Sequence, residues 1–137
     1  MDFDKDLQRW LEAWLGKIGA IAGTVHLHEN DGLRLAAAVN IPEKVQQIVA
    51  WVPSGKGMAG LALQHNQPIQ TCNLQDDRTG AVRPGAKVVD ARAGIALPIH
   101  DASGRTRAVV GAAFAEEREI PEDEIRRIST AAGNLPL

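Results

Sequence analysis

The chain has a single cysteine, no tyrosine and only two phenylalanines among its 137 residues. A lone thiol, Cys72, excludes an internal disulfide and any zinc centre built from several thiolates, and it fits a reducing compartment, so the cytoplasm is the default location. No apolar run reaches the ~18 residues needed to span a bilayer, and the acidic start Met1-Asp2-Phe3-Asp4 lacks the cationic flank and apolar stretch of a secretion signal. An excess of one charge is missing too. Fifteen Lys and Arg stand against 17 Asp and Glu, a formal charge of −2, so the broad basic face that displaces counterions from a duplex is not implied. Neither nucleic acid nor a membrane is expected as a partner. At 45% hydrophobic and 23% charged residues, the composition suits one soluble domain over residues 1–137, an N-terminal amphipathic helix over 1–18 leading into a core over 19–137.

Leu7, Trp10, Leu11, Trp14, Leu15 and Ile18 recur at three- and four-residue steps and predict that opening helix, with Gly19 and Gly23 helping to end it. Alternation from Thr24 to Glu29, the turn signal Asn30-Asp31-Gly32 and the run Leu33 to Val39 predict an antiparallel hairpin. Ile41-Pro42-Glu43 starts a helix whose buried side is Val45, Ile48 and Val49, with Trp51 near its end. A short helix from about Met58 to Gln64 and a strand from Ile69 to Leu74 follow. Residues 76–94 turn to Arg, Gly, Asp and Pro, longer than most connections in a domain of this size. Strands Ile95 to His100 and Arg107 to Glu116 then join at Ala102-Ser103-Gly104, and Ala108 to Ala115, small or apolar on both faces, belongs in the middle of a sheet. The last helix opens at Pro121, with acids in its first turn and Ile125, Ile128 and Ala132 as its stripe. The order predicts an α+β fold with a mainly antiparallel sheet.

That order, with Gly55-Lys56-Gly57-Met58-Ala59-Gly60, Asn66-Gln67-Pro68-Ile69 and Asn73-Leu74-Gln75-Asp76-Asp77, resembles the GAF domain family of small-molecule sensor modules. Later landmarks are Ala93-Gly94-Ile95-Ala96-Leu97-Pro98-Ile99, Val109-Val110-Gly111-Ala112 and Ile120-Pro121-Glu122-Asp123-Glu124. The resemblance covers about Ile18 to Leu135. It implies a sheet of five to six strands, helices packed on one face, and a pocket on the other roofed by a helix and the long loop. It does not fix the chemistry, because one fold hosts many ligands.

Each chemical motif has a plainer reading. The spacing Gly55-x-Gly57-x-x-Gly60 suits a phosphate cradle only after a buried parallel strand, which is missing, so a tight helix start is expected. Cys72, between Gln70 and Leu74 with no basic neighbour in sequence, reads as an inert buried thiol rather than a nucleophile. The resemblance includes an enzymatic branch, the free methionine sulfoxide reductases, that uses cysteines in the glycine motif and the long loop. This chain has none at either place, and Gly94 stands where that branch's acidic residue would be. His26 and His28 share a strand face, yet two imidazoles make an incomplete metal site, and solvent-facing or helix-covered rings are expected. His65 and His100 fall at element ends, where exposure is ordinary. Asp76 and Asp77 read as turn caps. The signature of cyclic-nucleotide-binding members is missing, and few rings are available to stack on a purine.

There remains an expected cavity lined by Trp51, Met58, Cys72, Val82, Val89, Ile95 and Leu97, with Arg78, Arg83 and Arg92 at its rim to favour a small anionic guest. The expectation is a non-enzymatic sensor that holds its ligand between the sheet and residues 76–94, signals through its end helices to a separate effector protein, and requires no cofactor. Trp10 and Trp14 on one stripe suggest a homodimer through the first helix. The alternatives are a thiol-dependent redox enzyme and a ligand-free dimerisation scaffold.

Overall fold

The structure, a computed structural model, describes residues 3–71 and 91–136. In chain order its elements are α1 (Lys5–Ile18), β1 (Ala22–Glu29), β2 (Gly32–Val39), α2 (Glu43–Ile48), β3 (Trp51–Pro53), α3 (Gly57–His65), β4 (Ile69–Thr71), β5 (Ala93–His100), β6 (Thr106–Phe114) and α4 (Glu122–Ala132). The six strands form one antiparallel sheet in the order β3-β2-β1-β6-β5-β4. Two hairpins build it. In the first, Asn30 adopts the left-handed backbone (φ 55°) that a tight turn demands. In the second, the Asp101 carboxylate accepts from the Ser103 hydroxyl at 2.6 Å and from the Ser103 and Arg105 N–H groups at 2.8 and 3.2 Å. Those bonds, the Ser103 hydroxyl first, hold the Asp101 carboxyl below the usual carboxylate range.

The period of two sorts side chains by size. Val25, Ile95, Leu97, Ile99, Val110 and Phe114 share one face with Leu7, Leu11, Trp14 and Leu15 of α1 and Ile128 and Ala132 of α4. The opposite face carries α2 and α3 over smaller residues. The helix-backed sheet and the helix-roofed far side agree with the expected α+β architecture.

The stripe of α1 is spent within its own chain. Trp14 is buried and donates from Nε1 to the Ile128 carbonyl at 3.3 Å, while Trp10 stacks on it at 5.5 Å and bonds Asn134 Oδ1 at 2.8 Å. The apolar strip that suggested a second copy packs mainly on this chain's own sheet and last helix, with Trp10 and Ile18 half-buried. The Asp4 carboxylate caps α1 through the Asp6 and Leu7 N–H groups, at 2.9 and 3.1 Å.

Near both sheet edges a glutamine amide pairs with backbone as a further strand would. Gln8 donates to the Ala38 carbonyl at 2.6 Å and accepts its N–H at 3.1 Å, and Gln70 does the same with Ile120 at 3.1 and 2.9 Å. The first pair occupies β2 groups that β3 does not reach, leaving fewer open for another chain, and the second fastens β4 to the segment before α4.

Two expectations need correction. Where the sequence predicts a helix end at Trp51, the chain forms edge strand β3, with Trp51 opposite Arg34 and Pro53 at a position where a missing N–H is tolerated. Ile48 does not help to supply the buried side of α2, while Val49, just past its end, is half-buried against the Leu33 and Val52 cluster. A helix of six residues is under two turns long and presents only Val45 to the sheet, leaving Ile48 42% exposed. No described helix is long and apolar enough to cross a membrane.

Leu11→Ala should lower unfolding free energy by about 2–5 kcal/mol in urea titration, since it empties the centre of the main core, whereas Ile48→Ser should stay within about 0.5 kcal/mol.

Candidate functional site

On the α2–α3 face the sheet carries Ala22 and Thr24 from β1, Gly111 and Ala113 from β6, and Gly94 and Ala96 from β5. Ile41, Met58 and Ala59 stand over them, leaving a cleft of about 140 Å³. The gap follows from side-chain volume, because alanine and glycine leave unfilled what leucine on the opposite face fills. Gly111 is decisive. A Cβ there would meet only the Thr24 hydroxyl at 2.9 Å and the Ile95 carbonyl at 3.9 Å, so open space lies above it. Among the described residues Thr24 provides the lining's one polar side chain. At the rim, Ala91 packs with Ala22 and Val45, Met58 lying against them.

The roof is set by the glycine motif. Gly55 and Gly57 take positive φ (87° and 64°), and the Gly55 N–H bonds the Gly60 carbonyl at 2.8 Å. A Cβ at Gly60 would lie 2.5 Å from the Pro53 carbonyl, so the motif works as a tight start for α3 against β3.

Of the residues expected to line a cavity, Met58 and Ile95 reach the cleft. Ile95 does so from the floor, for its side chain belongs to the core beneath α1 and α4. Leu97 lies wholly in that core: two residues from Ile95 along a strand, it shares the same face. Trp51 is 43% exposed at the sheet edge, its ring covering Gly32, and is not in the cleft. Arg92 is exposed, donates its N–H to the Phe114 carbonyl at 2.8 Å, and is not part of the lining. Cys72, Arg78, Val82, Arg83 and Val89 lie outside the described residues, as do Asp76 and Asp77.

The sequence reading missed Ile41, Thr24 and Gly111. The available signal was Gly111 itself, since glycine inside an apolar strand marks a place where something approaches the backbone closely. Larger grooves of about 370 and 530 Å³ lie beside α4, the first between Ser129 and Gly133 and the end of β5 at Pro98 and His100, the second along Glu122, Arg126 and Thr130.

His26 lies on the cleft side of β1 and is 3% exposed. Its Nε2 donates to the Val49 carbonyl at 2.9 Å, which fixes the neutral tautomer and leaves Nδ1 as an acceptor without a partner among the described residues. Burial pushes its pKa down from 6.5 to about 4, against a smaller upward pull from the Val49 bond. His28 Nδ1 donates to the Thr106 carbonyl at 2.8 Å, so the two rings serve different elements. Among the described residues no three His, Cys, Asp or Glu side chains gather as metal ligands. His65 and His100 are exposed, and His100 bonds the Asn66 side chain.

The sequence model of the GAF domain matches residues 1–135. A comparison with curated proteins finds no match. Among solved structures, the fold is similar to the type II free methionine-R-sulfoxide reductase of Thermoplasma acidophilum, with a TM-score of 0.71 and 16% identity over 92% of this chain and 84% of that one. It is also similar to the GAF domain of a phosphoenolpyruvate-protein phosphotransferase from Coxiella burnetii (0.69, 16%, covering 95% and 90%). A GAF domain/HD domain protein from Geobacter sulfurreducens gives 0.71 and 13%, covering 96% and 85%. At these identities the likeness shows the fold.

Because the folded His26 pKa lies below its unfolded value, the unfolded state binds the extra proton between the two. Its contribution is complete above pH 6.5 and is lost as pH falls towards 4. Urea titrations across that window should show a loss of up to about 3 kcal/mol, and His26→Phe should remove that part of the slope.

Proposed function

The chain belongs to the GAF domain family, and on that premise we propose that it is a non-enzymatic regulatory module that binds a small molecule in the cleft between the sheet and α2–α3. The observation that carries this reading is the pairing of an alanine and glycine floor with one hydroxyl, Thr24, under the Met58 roof. Apolar walls with a few placed polar groups are the usual form of a small-molecule site. Solved neighbours include both a free methionine-R-sulfoxide reductase and the GAF domain of a phosphoenolpyruvate-protein phosphotransferase, so family membership alone does not choose between catalysis and binding.

A route for output is built into the floor. Ile95 and Ala112 border the cleft while their side chains pack in the core beneath α1 and α4. A guest that shifts β5 or β6 therefore presses directly on the layer that holds the two terminal helices, and through them on an effector chain.

Thermal-shift screening of the wild-type chain against a metabolite library should find a stabilising compound, worth about 2.7 kcal/mol at 100 times its dissociation constant. Gly111→Val, which fills the cleft from the floor, displaces the Thr24 hydroxyl and stands in ordinary contact with the Ile95 carbonyl, should fold and lose that shift. A library without any hit, or hits that stabilise Gly111→Val equally, would contradict the proposal.

A further inference from the structure

Residues 40–50 cross the rim of the cleft as a strap that is fastened at its ends and lightly held between them. At one end Asn40, in left-handed backbone at φ 55°, donates from Nδ2 to the Ile21 carbonyl at 2.7 Å. At the other end the Val49 carbonyl receives the His26 Nε2–H at 2.9 Å, and the Ala50 carbonyl receives the Leu35 N–H at 3.0 Å. Between these points α2 has no side-chain bond at its N-cap and a single buried residue, Val45. A helix so short does not stand without tertiary support. Here that support is Val45 and the half-buried Ile41 against Ala22 and Ala91, Val49 half-buried against the Leu33 and Val52 cluster, the Gln46 Nε2 bond to the Ile41 carbonyl at 2.9 Å, and the two fastenings. Ile41, on the same strap, lines the cleft.

The choice of histidine at position 26 points to the fastening. The ring is buried with Nδ1 unpartnered among the described residues, an arrangement that phenylalanine would match in shape without leaving a polar atom stranded. What histidine adds is the bond to Val49.

We infer that residues 40–50 are the gate of the cleft, opening by local unfolding of α2 between Asn40 and Ala50, and that His26 is the positioning residue that seats the strap on the sheet. The inference rests on reading the cleft as a ligand site for its purpose. The opening itself belongs to the ligand-free chain, so failure to find a ligand and failure of the gate are separate results.

Hydrogen exchange on the ligand-free chain near neutral pH tests it. The Gln46 and Val49 N–H groups, bonded to Pro42 and Val45 in α2, should exchange at least about 100-fold faster than those of Val25 and Val110, with little dependence on dilute denaturant. His26→Phe should raise the Gln46 and Val49 rates about 10-fold further while the Val110 rate stays in place, and His26→Gln, which keeps a donor near the Nε2 position, should bring them back. Val45→Ala, which leaves His26 untouched, should loosen the same amides by a similar factor and serves if His26→Phe does not fold. Exchange of Gln46 and Val49 at the Val25 rate in the wild type overturns the gate. Variants that speed every amide alike overturn the positioning role.

Discussion

The structure depends on an imbalance of side-chain volume across its sheet. Along β5 and β6 the residues facing α1 and α4 include Ile95, Leu97, Ile99, Val110 and Phe114 beside Ala93, Ala108 and Ala112, whereas those on the α3 side are Gly94, Ala96, Gly111 and Ala113 around the cleft, with Val109 the large one beyond it. Large side chains on the first face fill the space under two helices and supply most of the buried apolar area. Small ones on the second leave backbone close to the surface of the sheet. One set of strands thus forms a packed core and the floor of a cleft at once, because the pleat sends neighbouring residues to opposite sides.

That arrangement needs the sheet to keep its shape while one face is incompletely filled. One amide pair ties α1 to β2 through Gln8 on Ala38, and another ties the edge strand β4 to the segment before α4 through Gln70 on Ile120. Gly23 serves the same end from within: a Cβ there would lie 2.7 Å from Leu15, so its absence lets α1 press on β1. Trp10 and Trp14 then join the first helix to the last through Asn134 and Ile128. The helical layer is a unit that holds both ends of the described chain, and the cleft floor is its other side.

The cleft face is built from shorter elements over a smaller apolar cluster of Leu33, Val52, Ala62, Ala96 and Val109. α2 contributes Val45 and is seated by His26, and α3 begins in a glycine turn packed on Pro53. Fewer buried apolar groups per residue mean lower local stability, and binding surfaces are drawn from that end of the range. In the proposed small-molecule module this contrast has a use, since a guest would enter through the weaker face and be felt by the stronger one.

Periodicity settled the elements. The stripe from Leu7 to Ile18, the Asn30-Asp31-Gly32 turn, the second hairpin and the Pro121 helix were legible because each rests on contacts local in the chain. Met58 as part of the roof was legible through the resemblance carried by the glycine motif. The facing of individual strands was not. Ile95 and Leu97 are apolar in sequence whichever side they take, and only the packing of α1 and α4 decides that their side chains lie beneath those helices and away from the cleft. Trp51 likewise reads as a buried aromatic, yet pairing with Arg34 puts it at the edge of the sheet. His26 was one of two similar rings until Val49, 23 positions on in the chain, supplied its partner. Local propensity determines where strands and helices form. Which atoms meet across them depends on long-range docking, which no short window of sequence contains.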